Sequence, residues 1–141
     1  MLVIVLIGIQ FIPVDRKNPP VTLDINAPGN ISSILRTSCY DCHSNETNWP
    51  IYSYIAPVSF LVVSDVKEGR KHLNFSEWDK YSSDKQIKLL EEMIEEVEKE
   101  EMPLTMYTFT HPNSKLDIYR IKLLKEWVKP GSSKEKSPRY K

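Results

Sequence analysis

The chain has 141 residues, and its 19 basic residues balance its 19 acidic ones, which gives a formal net charge of zero. That length is typical of one domain, and the balanced charge excludes a global electrostatic attraction to nucleic acid or to an anionic membrane. Only two cysteines occur, close together in the sequence, so disulfides do not form the framework. Ten prolines against four glycines favour a few helices joined by rigid, extended connections.

The first fourteen residues, MLVIVLIGIQFIPV, carry no charge and are almost entirely apolar. As a helix, residues 2–14 would span about 20 Å, which is less than the hydrocarbon core of a bilayer. The charged, proline-rich DRKNPP follows in place of a small-residue cleavage site. This pattern favours an uncleaved membrane anchor at 1–14 over a cleaved signal peptide. A buried N-terminal helix or strand is the alternative.

Residues 15–29 are expected to form an extended linker, since they hold three prolines and show no helical period. A first helix is predicted for NISSILRTSC, residues 30–39, with Asn30 as its cap. A second is predicted for residues 58–72, with Pro57 at its first turn. The residues expected to face inward are Ile31, Ile34 and Leu35 in the first helix and Phe60, Val63 and Val66 in the second.

A third helix is predicted for residues 84–100, with Ser83 and Gln86 as a capping box. It ends before Pro103, and a fourth helix is predicted to begin at Ser114. The residues expected to face inward are Ile87, Leu90, Ile94 and Val97 in the third helix and Leu116, Tyr119, Leu123 and Trp127 in the fourth. The fold expected is all-α, with about four helices and long loops in a domain at 30–130. A disordered polar tail is expected at 131–141.

Cys39, Cys42 and His43 form the motif C-x-x-C-H. Two thiols at this spacing can add across the vinyl groups of a haem, and the histidine then lies beneath the iron as the proximal ligand. The alternatives are half of a zinc site completed by His72 and His111, a redox dithiol, and a chance pattern. The two histidines lie too far along the chain for a compact zinc site, and no strand–helix–strand context supports a dithiol. Haem attachment is therefore favoured.

A haem held by His43 needs a sixth iron ligand or an open distal face. Met102 is the favoured ligand, because Pro103 shapes its loop and a thioether on irregular backbone can be aimed at iron without distorting a helix. Met93, on the third helix, is expected to be core filler. The alternatives to Met102 are Met106, His111, His72 and an open distal face.

Other residues are candidates for the haem crevice. Trp49, Tyr52 and Tyr54 follow the attachment motif closely and are expected to wall it, which agrees with ordinary aromatic packing. Arg70 and Asn74 are candidates for hydrogen bonds to a haem propionate, against the simpler interpretation of Arg70 as an exposed side chain. The acidic run EEMIEEVEKEE is interpreted as a solvated helix face, with docking of a basic redox partner as the alternative.

Several runs together resemble a known family: CYDCHSNETNWPIYSYIAPVSFLVVSDVKEGRKHLNFSEW, then EEMPL, then HPNSKL and Trp127. They are similar to the bacterial haem-binding domain family, whose members are small exported proteins of c-type cytochrome character, often with one N-terminal membrane segment. The resemblance implies thioether bonds from Cys39 and Cys42, His43 as proximal ligand and Met102 as distal ligand. Leu104 departs from the pattern, where a second proline is expected.

The function expected from these observations is one-electron transfer by a single covalent haem c on the periplasmic side of the bacterial inner membrane, with redox proteins as partners. No acid–base or nucleophile constellation accompanies the motif, so the chain is interpreted as a carrier and not an enzyme. The alternative is a haem-based sensor that binds diatomic ligands by displacing Met102. A peroxidase is a third interpretation, with His111 as the only acid–base candidate.

Overall fold

A computed structural model describes residues 1–129. This part of the chain contains seven α-helices, four short 3₁₀ helices and no strand apart from one isolated bridge between Leu23 and Glu77. The prediction of an all-α fold is confirmed. The helices are α1 (Leu2–Gly8), α2 (Gly29–Ser38), α3 (Tyr40–His43), α4 (Val58–His72), α5 (Ser83–Glu98), α6 (Thr105–Thr110) and α7 (Ile118–Val128). The predicted tail at 131–141 lies outside the described residues.

The chain forms two compact units. The first comprises Met1–Ile25 and Tyr40–Asp79 and contains α1, α3 and α4. The second comprises Asn26–Cys39 and, among the described residues, 80–129, and contains α2, α5, α6 and α7. Each unit has its own buried apolar residues, described in turn below.

The first unit is built on the packing of α3 against α4. Phe75 is completely buried, and its ring stacks on that of Tyr40 with centroids 5.4 Å apart. The proline-rich segment before α2 runs along the chain that follows α4, because the amide of Ile25 donates to the carbonyl of Phe75 at 3.0 Å and the amide of Trp78 donates to the carbonyl of Leu23 at 2.9 Å. These bonds satisfy backbone groups of an extended segment that has no sheet partner.

The second unit packs α2 and α5 against α7. Leu35 in α2 and Leu124 in α7 are completely buried. The predicted stripe of Ile31, Ile34 and Leu35 is confirmed, since all three are buried. Helix α2 begins at Gly29 with Pro28 before it and no side-chain cap, so the prediction of Asn30 as the cap is wrong.

The start of α5 differs from the prediction. Its cap is Ser82, whose hydroxyl accepts from the amide of Lys85, so the predicted capping box is wrong. Ile87, predicted to face inward, is 56% exposed, and Leu89 is buried instead. Further along the helix the prediction is confirmed, because Ile94 and Val97 are both buried.

Helix α7 begins at Ile118 and not at Ser114, because Ser114 belongs to a short 3₁₀ turn. The side chain of Asp117 caps α7 by accepting from the amide of Arg120 at 2.8 Å. Tyr119, expected to face inward, is 67% exposed. Leu124 is the residue that α7 buries completely.

Three helices were not predicted as such. Helix α1 covers half of the apolar N-terminal segment, α3 is the single turn of the cysteine motif, and α6 lies in the segment predicted as the loop after Met102. All three are short, between four and seven residues, which is below the length at which periodicity is informative. Within residues 1–129, no helix combines the length and the apolar character needed to cross a membrane.

Candidate functional site

The cysteine motif begins where one helix ends and continues in the next. Cys39 follows the last residue of α2, and its amide donates to the carbonyl of Leu35 at 2.8 Å. Cys42 and His43 lie in the single turn of α3. Neither cysteine forms a disulfide, and both are partly buried. They are therefore available for a covalent bond to a bound group.

The turn of α3 is fixed from the C-terminal side of α4. The amide of Phe75 donates to the carbonyl of His43 at 2.8 Å, and the edge of the His43 ring meets the Phe75 ring at 6.5 Å. Within the turn, the hydroxyl of Ser44 donates to the carbonyl of Tyr40 at 2.7 Å. These contacts hold the motif in one conformation.

The imidazole of His43 is oriented by a backbone group 30 residues further along the chain. Its Nδ1 lies 3.0 Å from the carbonyl oxygen of Leu73, at the end of α4. A carbonyl oxygen only accepts, so the hydrogen bond places the proton on Nδ1. In the neutral ring, Nε2 then carries the lone pair, which is the arrangement that histidine ligands of metals adopt.

The surroundings of His43 also favour the neutral ring. Burial lowers the pKa of its imidazole below the ordinary value, while the carbonyls of Leu73 and Gly69 act in the opposite direction. Because a protonated imidazole has no lone pair for a metal, the lowered pKa supports ligation at neutral pH.

Gly69 allows α4 to approach the motif, and sequence reasoning did not identify it. A Cβ at this position would lie 2.5 Å from the carbonyl oxygen and 3.2 Å from the Cβ of Cys42. A separation of 2.5 Å from a backbone atom would force the two elements apart. The available signal was a glycine inside a helical pattern, which costs about 1 kcal/mol relative to alanine and so points to a packing reason.

The thiol of Cys42 is protonated in the haem-free chain. Burial raises its pKa to about 12, with the carboxylates of Asp41 and Asp65 acting in the same direction and Arg70 against it. A buried, protonated thiol is a poor nucleophile toward oxidants and other thiols.

Arg70 was predicted to contact haem, and the structure gives its side chain several protein partners. Nε donates to the carbonyl of Ser44 at 2.7 Å, and the two terminal nitrogens donate to the carbonyl of Lys17, to Oδ1 of Asn18 and to the hydroxyl of Thr47. These bonds join α4, the chain after the motif and the proline-rich segment. The contact of Arg70 with haem stays a prediction.

Asn74 belongs to a buried polar network. It is 4% exposed, its Nδ2 donates to Oδ1 of Asn45 at 2.8 Å, and its Oδ1 accepts from the amide of Ser76 at 3.0 Å. Both ends of the amide thus have protein partners. The structure gives Asn74 a role in fixing the chain that follows α3, and its contact with haem stays a prediction.

The three aromatic residues predicted to wall the crevice, Trp49, Tyr52 and Tyr54, lie in the first unit. Trp49 and Tyr52 are partly buried, whereas Tyr54 is 59% exposed. The indole nitrogen of Trp49 donates to Oδ1 of Asn18 at 3.3 Å. Tyr52 lies in the 3₁₀ turn Ile51–Tyr54, which packs on α4. Their contact with haem stays a prediction.

Met102 lies in the second unit, just after the reversal of chain direction that ends α5. Glu100 has a φ of 60°, and the amides of Glu101 and Met102 both donate to the carbonyl of Glu96, at 3.0 and 3.2 Å. The Met102 side chain is 36% exposed, whereas that of Met106 is 78% exposed and Met93 is buried in α5. Met93 therefore packs in the core, and the pairing of Met102 with His43 stays a prediction.

The other two histidines have local contacts. His72 is exposed at the end of α4, with its Nε2 4.0 Å from the carboxylate of Glu68. His111 stacks on Tyr107 with ring centroids 4.3 Å apart. Across residues 1–129, no group of three or more histidine, cysteine or acidic side chains is placed to hold a metal ion. The zinc interpretation gains no support from this part of the chain.

One buried polar atom beside the motif lacks a partner. The hydroxyl of Ser38, next to Cys39, is buried and makes no hydrogen bond to any described residue. Leaving such a group unsatisfied costs roughly 1–3 kcal/mol, so a bound group or a water would relieve it. Together with two thiols that form no disulfide and an imidazole whose Nε2 carries the lone pair, this residue set fits a haem attached at the motif.

Comparison with known proteins agrees with this fit. A family model described as a haem-binding domain matches residues 4–130. No curated protein and no solved structure matches the chain. The family model covers nearly all of the chain, which includes the cysteine motif, α4 and the Met102 loop, and the resemblance drawn from the sequence is confirmed. The chain belongs to the haem-binding domain family, and its cofactor is haem.

Proposed function

We propose that this protein is a c-type cytochrome with a single covalent haem that transfers single electrons outside the cytoplasm. The observation that carries the proposal is the hydrogen bond from Nδ1 of His43 to the carbonyl of Leu73. His43 directly follows Cys42, whose thiol forms no disulfide. The hydrogen bond to Leu73 prepares Nε2 to bind iron from one side. Haem iron, when bound, supplies the one-electron change between its ferric and ferrous states.

Four side chains of this chain would hold the haem in the proposal. Cys39 and Cys42 form thioethers and so prevent loss of the cofactor. His43 is the proximal ligand, and the Leu73 carbonyl raises the basicity of its imidazole. Met102 is the distal ligand, and a thioether there raises the reduction potential relative to a second histidine.

The apolar N-terminal segment supports an extracytoplasmic, membrane-anchored location. Residues 2–14 carry no charge, and the side chains of α1 are exposed. Covalent attachment of haem agrees with this location, because the reaction needs reduced thiols and a maturation apparatus outside the cytoplasm. The partners in this proposal are redox proteins that meet the protein at the membrane surface.

A haem-based sensor is the second candidate function. The exposure of Met102, at 36%, favours it, because a side chain that is not tightly packed is easily displaced by a diatomic ligand. The two functions differ in one property: a carrier keeps both axial ligands, and a sensor exchanges the distal one.

Optical spectroscopy tests the proposal. The full chain is made in a host that matures c-type cytochromes, and colour that survives denaturation demonstrates the covalent bond. We expect the ferric protein to show the weak far-red band of a methionine–iron bond, and we expect Met102→Ala to lose it. Met106→Ala is the matched control and should keep the band. Loss of the band in Met106→Ala alone would identify the other methionine as the ligand.

Carbon monoxide separates the two functions. The reduced carrier should leave its spectrum unchanged under carbon monoxide, whereas Met102→Ala should bind the gas. Rapid binding by the parent protein would favour the sensor. A colourless protein would contradict covalent attachment.

A further inference from the structure

An exposed apolar face of the first unit lies beside the chain that follows α1. It consists of Ile51, Tyr54, Ile55, Val58 and Leu61, which are 85, 59, 54, 41 and 66% exposed. Ile51 and Tyr54 lie three apart in a 3₁₀ turn, where such side chains eclipse each other. Val58 and Leu61 are three apart at the start of α4 and share one side of that helix. Below, these five residues are called the 51–61 face.

Two hydrogen bonds of one side-chain amide, that of Gln10, hold the N-terminal segment beside this face. Nε2 of Gln10 donates to the carbonyl of Ala56 at 3.0 Å, and the amide of Ala56 donates to Oε1 of Gln10 at 3.0 Å. The chain after α1 and three residues around the start of α4, Tyr54, Ala56 and Ser59, line one groove of about 230 Å³. Because Ala56 lies between Ile55 and Val58 in the sequence, this bond brings the chain that directly follows α1 next to the 51–61 face.

The first charged side chains of the sequence lie at the border of this apolar region. Residues 2–14 are uncharged, and Asp15, Arg16 and Lys17 follow. The guanidinium of Arg16 lies 4.3 Å from the centre of the Tyr54 ring and donates to the carbonyl of Ser53 at 3.1 Å. Tyrosine and arginine at the edge of an apolar surface are typical of the zone where protein meets lipid headgroups.

We propose that α1 and the 51–61 face together contact one phospholipid bilayer, with their apolar side chains at the boundary between headgroups and acyl chains and Arg16 near anionic headgroups. The proposal rests on the membrane location proposed above and extends it, because it adds a face of the folded unit to the N-terminal segment. The exposed apolar area of the 51–61 face adds to that of α1, and membrane binding strengthens with the apolar area buried. Contact at both places fixes the orientation of the first unit on the membrane.

Vesicle partitioning of the full haem-loaded chain tests the proposal. The double variant Ile51→Asp with Leu61→Asp is compared with the parent over a titration of phosphatidylcholine–phosphatidylglycerol vesicles, with flotation as the readout. We expect a partition coefficient about ten-fold lower, since each apolar side chain withdrawn from the boundary loses part of its transfer free energy. Pure phosphatidylcholine vesicles should also bind the parent more weakly.

The matched control is Ile87→Asp with Ile118→Asp. These isoleucines are 56 and 83% exposed in the second unit, and this pair should partition like the parent. Equal loss in both pairs, or no loss in the first, overturns the proposal while leaving the anchor in place. A parent that does not float overturns both the anchor and the proposal.

Two further readouts identify other occupants of the 51–61 face. A changed haem spectrum in the first pair would assign the face to the haem crevice. A changed oligomeric state in detergent would assign it to a second copy of the chain. Either result overturns the proposal, and an unchanged spectrum also shows that the variant has folded.

Discussion

Gly69 and Cys42 are in such close contact that a methyl group at residue 69 would lie 2.5 Å from the Cys42 carbonyl oxygen. The contact joins the last turns of α4 to the cysteine motif. It also determines where the Leu73 carbonyl stands relative to His43, since Leu73 follows Gly69 by one helical turn and bonds to its carbonyl at 3.0 Å.

Gly69→Ala should therefore destabilise the protein. Overpacking costs roughly 1–3 kcal/mol and the helical gain from alanine offsets about 1, so we expect a net loss of up to about 2 kcal/mol in the free energy of unfolding. We also expect a lower haem yield, because His43 loses its orientation. Urea unfolding of the haem-free chain and the haem-to-protein ratio measure the two effects.

Gly29→Ala is the control for this substitution. Nothing lies within 4 Å of a Cβ at residue 29, so this variant should be neutral or more stable by up to ~1 kcal/mol. If both variants behaved alike, the close approach of Gly69 would have no energetic consequence.

The thiol of Cys42 should react slowly in the folded, haem-free chain. At pH 8, a pKa of about 12 leaves far less thiolate than the ordinary value of 9.0. In a Cys39→Ser background, alkylation by iodoacetamide should be on the order of 100-fold slower in the folded chain than in urea. Similar rates in the two states would show that the thiol is accessible and ionised.

The same pKa sets the sign of a pH effect on stability. The folded state keeps a proton that the unfolded state loses, so the free energy of unfolding should fall as the pH rises from 9.0 toward about 12. Cys42→Ser should remove this contribution, which urea unfolding over that pH range would measure. A covalently loaded protein should also lack it, since a thioether does not titrate.

Ser38→Ala distinguishes haem from water as the partner of the buried hydroxyl. In the haem-free chain, removal of an unsatisfied group should raise the free energy of unfolding by about 1 kcal/mol. If haem provides the missing partner, the loaded protein should gain less or lose stability. Thermal unfolding of both forms gives the comparison. Equal gains would show that haem does not bond the hydroxyl, and no gain in either form would assign the partner to water.

The end of α5 offers a stabilising substitution near Met102. Glu100 has a left-handed φ of 60°, and the bonds from Glu101 to Glu96 and from Glu100 to Val97 form a Schellman motif. Glu100→Gly should raise the free energy of unfolding by about 0.5–1 kcal/mol, because glycine adopts this conformation without steric cost. Urea unfolding would measure the gain.

Lys99→Gly is the matched control for Glu100→Gly. Lys99 has an ordinary right-handed conformation, with a φ of −78°, so glycine there should destabilise by about 0.5–1 kcal/mol. A gain in both variants would show that the backbone at Glu100 is not what decides the effect.

The cysteine motif could be predicted because its chemistry depends on neighbouring residues in the sequence. The groups that position it could not, because Leu73 acts through its backbone carbonyl, which any residue type supplies. Gly69 acts through the absence of a side chain, and its partner lies 27 positions earlier (69 − 42). Neither signal appears in hydrophobic periodicity.

Helix existence was easier to predict than helix register. In α5 the apolar residues Ile87 and Leu89 both fit a helical stripe, and only packing in the second unit decides that Leu89 is buried. Tyr119 is similar, because α7 buries Leu124 and leaves the tyrosine exposed. Short helices such as α6 lack enough turns for any period to emerge.

The proline-rich segment after α1 has little conformational freedom. A flexible linker of fifteen residues would have a root-mean-square end-to-end distance of about 20 Å. Here Arg16, Asn18 and Thr22 each bond to residues between 47 and 79 of the same unit. The haem-bearing unit would therefore not move freely on a flexible tether, and a redox partner would have to diffuse to it.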